Sequence, residues 1–314
     1  MKMLNRLKNV GMMAALAIVG FACLEESEIE KQQKANEKAI LNYLETNNIQ
    51  AEQSSYGLYY EKLTSNSAGA EPAAGQVISV KYEIKTLGGQ LLESVTDTTV
   101  DIKVNWSSVL PVGINYGIDV LREGEKGRFY LPAHVAYDSY SPDDNSFGPY
   151  TNFIVDLELV DIKTEDDLFE TEIDLIEAYI GENNLTEVQS KANGLYHKTL
   201  EAGDGEEPLS YNYVTLHFKR SYLDGTVIAE TEASKPLTVR LNENALVEGF
   251  YQGVLEMKEG EKALLIMPSE LAFGGSVQVM PSSLREELFE NGFITTNVRP
   301  YSPVMYEVEL LEVK

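Results

Sequence analysis

At 314 residues the chain exceeds a single ordinary domain and fits two domains of about 100 to 150 residues each. With 43% hydrophobic and 24% charged residues, 23 Gly and 11 Pro, the composition is that of a globular protein rather than a fibre, a disordered chain or a multispan membrane protein. The 25 Lys and Arg against 50 Asp and Glu give a net charge of −25, which repels phosphate backbones and anionic head groups and argues against nucleic-acid binding; the one cysteine, Cys23, provides neither an internal disulfide nor a Cys-based metal cluster.

In chain order, Lys2, Arg6 and Lys8 precede an uncharged stretch from Val10 to Ala22, which at 13 residues is too short to span a hydrocarbon core of about 30 Å as a helix. It reads as the apolar region of a signal peptide. The run Gly20-Phe21-Ala22-Cys23 that closes it resembles the lipobox of bacterial lipoproteins, which implies that residues 1–22 are removed and that Cys23 becomes the lipidated first residue. Processing would lower the basic count from 25 to 22 against 50 acidic residues, taking the net charge from −25 to −28. Residues 23–36 then read as a tether, with helix-forming composition from Glu28 to Leu44 that carries the rest away from the membrane.

Residues 37–163 open with a helix over Glu37 to Asn47, where Ile40, Tyr43 and Leu44 fall at helical spacing. Val77, Ser79, Lys81 and Glu83 alternate with Ile78, Val80, Tyr82 and Ile84 as a strand, and Gly88-Gly89 marks a hairpin turn. A short helix is predicted over Val112 to Leu121 before the chain returns to strands. Residues 164–314 repeat the plan. Their helix is predicted over Asp166 to Gly181 with Ile173, Ile176 and Ile180 on one face, a strand alternates Val214, Leu216 and Phe218 with Thr215, His217 and Lys219, Asp224-Gly225 signals the hairpin, and a short helix covers Ala245 to Leu255. The predicted class is α+β, each copy an antiparallel sheet wrapped on a short helix and preceded by an N-terminal helix.

The repeat is explicit in the residues. Tyr43-Leu44-Glu45-Thr46-Asn47-Asn48-Ile49 returns as Tyr179-Ile180-Gly181-Glu182-Asn183-Asn184-Leu185, and Glu123-Gly124-Glu125-Lys126 with Pro132 returns as Glu259-Gly260-Glu261-Lys262 with Pro268, both at an offset of 136. Asp156-Leu157-Glu158-Leu159 returns as Glu307-Val308-Glu309-Leu310 at 151, so the second copy carries about 15 extra residues between Phe273 and Tyr306. A period this long is a domain duplication rather than a solenoid.

In the second copy the succession Val214-Thr215-Leu216-His217-Phe218, Leu223-Asp224-Gly225, Leu237 to Leu241, Leu246-Val247-Glu248-Gly249-Phe250, Met257 to Lys262, Ile266-Met267-Pro268, Leu271-Ala272-Phe273-Gly274 and Tyr306 to Leu310 resembles the FKBP family of peptidyl-prolyl cis-trans isomerases from end to end. The first copy shows the same order more loosely. Such chemistry needs no nucleophile, metal or cofactor. Rotation about an X-Pro bond breaks amide resonance over a barrier of about 18–20 kcal/mol, and a dry aromatic cup with a hydrogen-bond donor for the displaced carbonyl favours the twisted amide.

The resemblance implies a catalytic set of Phe218, Phe250, Phe273 and Tyr306 in the second copy, with Ile228 and Val247 contacting substrate. Phe250 takes a floor position that is usually Trp, Phe273 takes the place of a tyrosine, and Ala229 lies where the family carries an aspartate. In the first copy it implies Tyr82, Glu93 and Tyr137 with Leu92, Leu110, Ile114 and Val155, so polar atoms survive there while the aromatic floor does not; Trp106 falls before the short helix. The extra segment of the second copy, with Ser282, Arg285 and Glu286 in a helix-start pattern and Leu284, Leu288 and Phe289 as an apolar stripe, is expected to place a helix in the flap over the pocket and, by resemblance, to offer surface to unfolded clients.

His134, His197 and His217 are too scattered for a metal site, and the Asp138, Asp143, Asp144, Asn145 loop lacks the ligand order of an EF-hand. No hydrolase or nucleotide motif occurs. The expected function is prolyl isomerisation of proline-containing polypeptide clients among exported proteins, with chaperone-like action, by a lipid-anchored protein of the cell envelope at the periplasmic or surface face of the outer membrane. The alternative is a non-catalytic peptide-binding or scaffold lipoprotein in an envelope assembly.

Overall fold

The computed structural model describes residues 27–314; Cys23 and the leader, with the signal-peptide and lipidation readings made on them, lie outside the described residues. Ser27 starts α1 (Glu28–Thr46) through a capping box, its hydroxyl accepting from the Glu30 N–H while the Glu30 carboxylate accepts from the Ser27 N–H. This moves the helix start nine residues ahead of the predicted Glu37, into the stretch read as a tether, because a cap and charged helix formers sustain a helix where an apolar period is absent.

Strands β1 (Glu52–Gln53), β2 (Tyr59–Thr64), β3 (Val77–Thr86) and β4 (Leu91–Lys103) follow, then β5 (Val109–Leu110), α2 (Gly113–Ile118), β6 (Lys126–Leu131) and β7 (Phe153–Lys163). The second copy runs α3 (Glu165–Glu182), β8 (Gln189–Ser190), β9 (Tyr196–Glu201), β10 (Tyr213–Tyr222), β11 (Val227–Glu230), β12 (Leu237–Arg240), α4 (Glu248–Leu255), β13 (Lys262–Met267), β14 (Gln278–Val279), α5 (Arg285–Glu290) and β15 (Val304–Val313). The first sheet has the order β1-β2-β6-β7-β3-β4 and the second β11-β10-β15-β13-β9-β8, with β12 also on β10. These are two antiparallel α+β domains, each with its sheet wrapped on a short helix, as the sequence patterns predict. The X-Pro bonds Leu110-Pro111 and Met280-Pro281 are cis.

Both faces of each sheet are covered. On one face lies the short helix, α2 or α4, and its glycines set how close it comes. A Cβ at Gly249 would stand 2.5 Å from Met267 Sδ and one at Gly113 2.9 Å from Leu131 Cδ2, so these two positions of the repeat let helix backbone rest on sheet side chains. On the other face lies the leading helix. Ile40 and Leu44 of α1 pack with Tyr59, Tyr130 and Ile154, and Ile176 of α3 packs with Tyr196, Leu264, Ile266 and Met305. Each fully buried side chain of this kind contributes about 1.5–3 kcal/mol relative to exposure.

β14 belongs to neither large sheet. It pairs in parallel with β5 of the first domain, Gln278 beside Val109 and Val279 beside Leu110. The extra segment of the second copy therefore packs on the first domain through its middle, while its far end returns to the second, where Asn297 donates to the Ile228 carbonyl at 3.3 Å and Val298 is buried in the core.

Candidate active site

In the second domain Phe218 and Arg220 lie two residues apart on β10, which points both side chains to one side of the sheet. α4 contributes Phe250 and β15 contributes Tyr306. The Phe250 and Tyr306 ring centroids are 4.9 Å apart, and Phe218 stands 6.0 Å from Tyr306 and 6.2 Å from Phe250, the last pair edge to face. These are favourable aromatic geometries. Ile228, Val247 and Phe273 are half-buried against the same cluster, so the six residues expected in this cup come together.

Arg220 was not anticipated. Its guanidinium carbon sits 4.7 Å from the Phe273 ring centroid and 5.8 Å from that of Tyr306, and Nη1 donates to Tyr306 Oη at 3.3 Å. Ala229, at the position of the family's aspartate, is Arg220's partner across the β10–β11 ladder, so no carboxylate stands there to pair with the cation. Arg220 Nε is buried without a hydrogen-bond partner among the described residues. Burial pushes the Tyr306 hydroxyl pKa up, with Arg220 pulling the other way. The cup that appeared from sequence to have lost its polar atoms thus holds a cation with donors to spare. Its two-residue spacing from Phe218 was the available signal.

In the first domain Tyr82, Ile114 and Val155 are buried in one cluster, against which Leu92, Leu110 and Tyr137 pack. Tyr82 Oη donates to Glu93 Oε2 at 2.5 Å. Two rings unremarked in the sequence supply the aromatic wall: Phe147 stacks on Tyr137 at 5.4 Å, and Phe153 meets both edge to face. Trp106 is 75% exposed and takes no part.

This first cup is filled by the chain itself. Tyr137 Oη donates to the Met280 carbonyl at 3.0 Å, and burial holds the Tyr137 pKa well above the ordinary tyrosine value. Glu93 accepts from the Ser282 N–H at 2.9 Å and from the Ser282 hydroxyl. Val279, Met280, Leu284, Leu288 and Ile294 are buried in the first domain's core. Of the apolar stripe Leu284, Leu288 and Phe289, the two leucines are therefore consumed and Phe289 is left exposed, with Phe293 exposed beyond it. An apolar stripe shows that something covers it and does not say what: the expected helix forms as α5, and the stripe's leucines are covered by the first domain's core. Among the described residues no group of three or more His, Cys, Asp or Glu is arranged to hold a metal ion.

Residues 205–311 match the sequence profile of the FKBP-type peptidyl-prolyl cis-trans isomerases. The second domain is thus of the FKBP type. The chain is 28% identical over 128 residues to the isomerase FkpA of Escherichia coli K12, a match covering 40% of each chain. A probable FkpA of Neisseria meningitidis serogroup B is 33% identical over 99 residues, covering 31% of this chain and 36% of that one. The isomerase Mip of Chlamydia trachomatis is 32% identical over 111 residues, covering 35% and 44%. Each match thus spans less than half of the relative's length. The crystal structure of E. coli FkpA is similar at 26% identity with a TM-score of 0.37, over 48% of this chain and 62% of that one.

Proposed function

We propose that this protein is a peptidyl-prolyl cis-trans isomerase whose working site is the cup of the second domain. The observation that carries the reading is the cage of Phe218, Phe250 and Tyr306 with the Arg220 guanidinium set against it. A proline ring entering the cage leaves water, and a charged donor at the rim favours the carbonyl whose resonance with nitrogen has been broken. The residues in named roles are Phe250 as floor, Phe218, Ile228, Val247 and Phe273 as walls, Tyr306 as wall and hydrogen-bond partner of Arg220, and Arg220 as donor. The match of residues 205–311 to the FKBP profile supports the same reading.

The leader and Cys23 support a lipid-anchored protein of the cell envelope, acting on proline-containing segments of exported polypeptides. Chaperone-like action on such clients falls to the exposed Phe289 and Phe293 rings, since the rest of the stripe is covered. The second reading, a peptide-binding scaffold without turnover, is favoured by Phe273 standing where the family has a tyrosine hydroxyl.

Proline-limited refolding of a test protein with the full chain separates the two. The isomerase reading expects acceleration that Phe250→Ala lowers at least tenfold, with the variant's thermal transition retained. No acceleration by the folded wild-type chain overturns it in favour of the scaffold.

A further inference from the structure

The geometry points to the cup of the first domain as a binding site occupied by its own chain: the segment Gln278 to Ser282 is its resident ligand, and Met280-Pro281 takes the place that an X-Pro segment of a client would take. Three features that a bound peptide needs are all supplied by this segment. It runs alongside an edge, the Gln278 N–H donating to the Ser108 carbonyl at 2.7 Å and the Met280 N–H to the Leu110 carbonyl at 2.8 Å. Its proline is buried, and the carbonyl that precedes it receives the Tyr137 hydroxyl at 3.0 Å. The residue after the proline is fixed by both oxygens of Glu93. Of the three polar residues that the resemblance implies in this cup, Tyr137 and Glu93 bond the segment directly and Tyr82 donates to Glu93.

Groups outside the cup hold the segment in place. The buried Arg285 donates to the Val277 carbonyl at 2.7 Å and to the Val298 carbonyl at 3.0 Å, tying the two ends of the excursion together. At the rim Glu287 accepts from the Tyr140 hydroxyl and, at 3.2 Å, from the Asp143 N–H. A ligand carried on the same chain acts at an effective concentration on the order of millimolar, so a segment whose own dissociation constant for the cup is roughly 100 μM keeps the site mostly occupied. The apparent affinity of a client falls by the fraction left open, about tenfold or more. The first cup is then a clamp between the domains with a ligand of defined class, an extended stretch with an apolar residue before proline and a hydroxyl residue after it, while turnover is left to the second cup.

Two measurements test this, both read as binding or exchange rather than turnover, so that failure of the isomerase reading leaves them decisive. In the unmodified full chain, hydrogen exchange at the Gln278, Met280 and Ser282 amides is expected to be slowed at least 100-fold relative to a free peptide of the same sequence; exchange at the peptide's rate overturns the proposal. A labelled peptide of residues 276–289 is then titrated against the intact chain and against a full-length chain with 277–282 replaced by Gly-Ser repeats. Binding at least tenfold tighter to the replaced chain, and weakened at least fivefold by Pro281→Ala in the peptide, is expected. Equal affinity for both chains, or no binding to a replaced chain that retains its thermal transition, overturns it. If the replaced chain does not fold, the exchange result decides.

Discussion

An X-Pro amide passing through its twisted state presents a carbonyl oxygen no longer conjugated to nitrogen, and the group in the second cup best set to meet it is the Arg220 guanidinium, stacked over Phe273 with one nitrogen on Tyr306. Arg220→Met keeps much of the stem and removes the donors, and is expected to lower kcat/KM for a proline peptide about tenfold or more with the thermal transition little changed. Arg220→Lys restores only part, because an ammonium has neither the planar stack nor the fork. A protease-coupled isomerisation assay on the full chain measures both, and unchanged kcat/KM in Arg220→Met removes Arg220 from the site. The same residue shows how much of this site was legible. Aromatic positions announce themselves through ordered spacing against Glu-Gly-Glu-Lys and proline landmarks, as Phe218, Phe250 and Tyr306 do. The two-residue spacing from Phe218 puts Arg220 on the cup side of β10, and the packing of Phe273 from a distant loop makes that cation part of the cup. Phe147 and Phe153 were missed for a like reason, since the family pattern names a floor on the short helix and Ile114 occupies it.

The leading helices do more than cover a sheet face: each fixes the turn after the repeated proline, a few residues before Tyr137 or Phe273. In the first domain the Ala133 N–H donates to Asn152 Oδ1 at 3.0 Å, and Asn152 in turn donates to the Asn36 carbonyl of α1 at 2.9 Å. In the second the equivalent N–H, that of Ser269, donates straight to Glu172 Oε2 of α3 at 2.6 Å. Glu172 is buried with its other oxygen unpartnered, and burial holds its pKa above the ordinary glutamate value. Glu172→Ala leaves a buried N–H unpaired and is expected to cost about 1–3 kcal/mol in thermal or denaturant unfolding. Glu172→Gln keeps an acceptor and removes the charge. A carboxyl with a raised folded pKa takes up its proton earlier in the folded state, so wild type gains stability as pH falls through that pKa and the gain is complete below about 4.5. Glu172→Gln should therefore exceed wild type in stability at pH 7 by a margin that closes as the pH approaches 4.5; a pH-independent difference contradicts the assignment. At this scale the sequence was most readable for α3, predicted to within a residue at each end by its apolar period. It was less so for α4, whose first three predicted residues form the approach to the cup, and for α2, which stops three residues short of the predicted Leu121.

The offset of 136 residues made the duplication visible, and nothing in it disclosed that one copy reaches into the other. Val279, Met280, Leu284, Leu288 and Ile294 belong by sequence to the second copy and by packing to the first domain's core. Apolar spacing fixes which face of a segment is covered, while the identity of the covering surface depends on where an excursion from Gly274 to Val298 leads, a long-range property with no local signature. More contacts join the copies near α3, where Lys103 Nζ donates to Glu165 Oε1 at 2.8 Å and Tyr301 Oη to the same oxygen at 3.3 Å. An exposed ion pair of this kind is worth little, about 0–1 kcal/mol, so the coupling between domains rests on the buried excursion. Deleting a buried leucine side chain costs about 2–5 kcal/mol. Leu288→Ala is thus expected to destabilise a domain to which residue 288 does not belong by sequence. Trp106, the sole tryptophan, lies in the first domain and reports its unfolding separately from whole-chain signals. In denaturant titrations of the full chain, the Trp106 fluorescence midpoint should move down with Leu288→Ala together with the far-UV circular dichroism midpoint, as one cooperative unit requires. A Trp106 midpoint that stays at the wild-type value would mean that the domains unfold independently and that the excursion adds nothing to the first core.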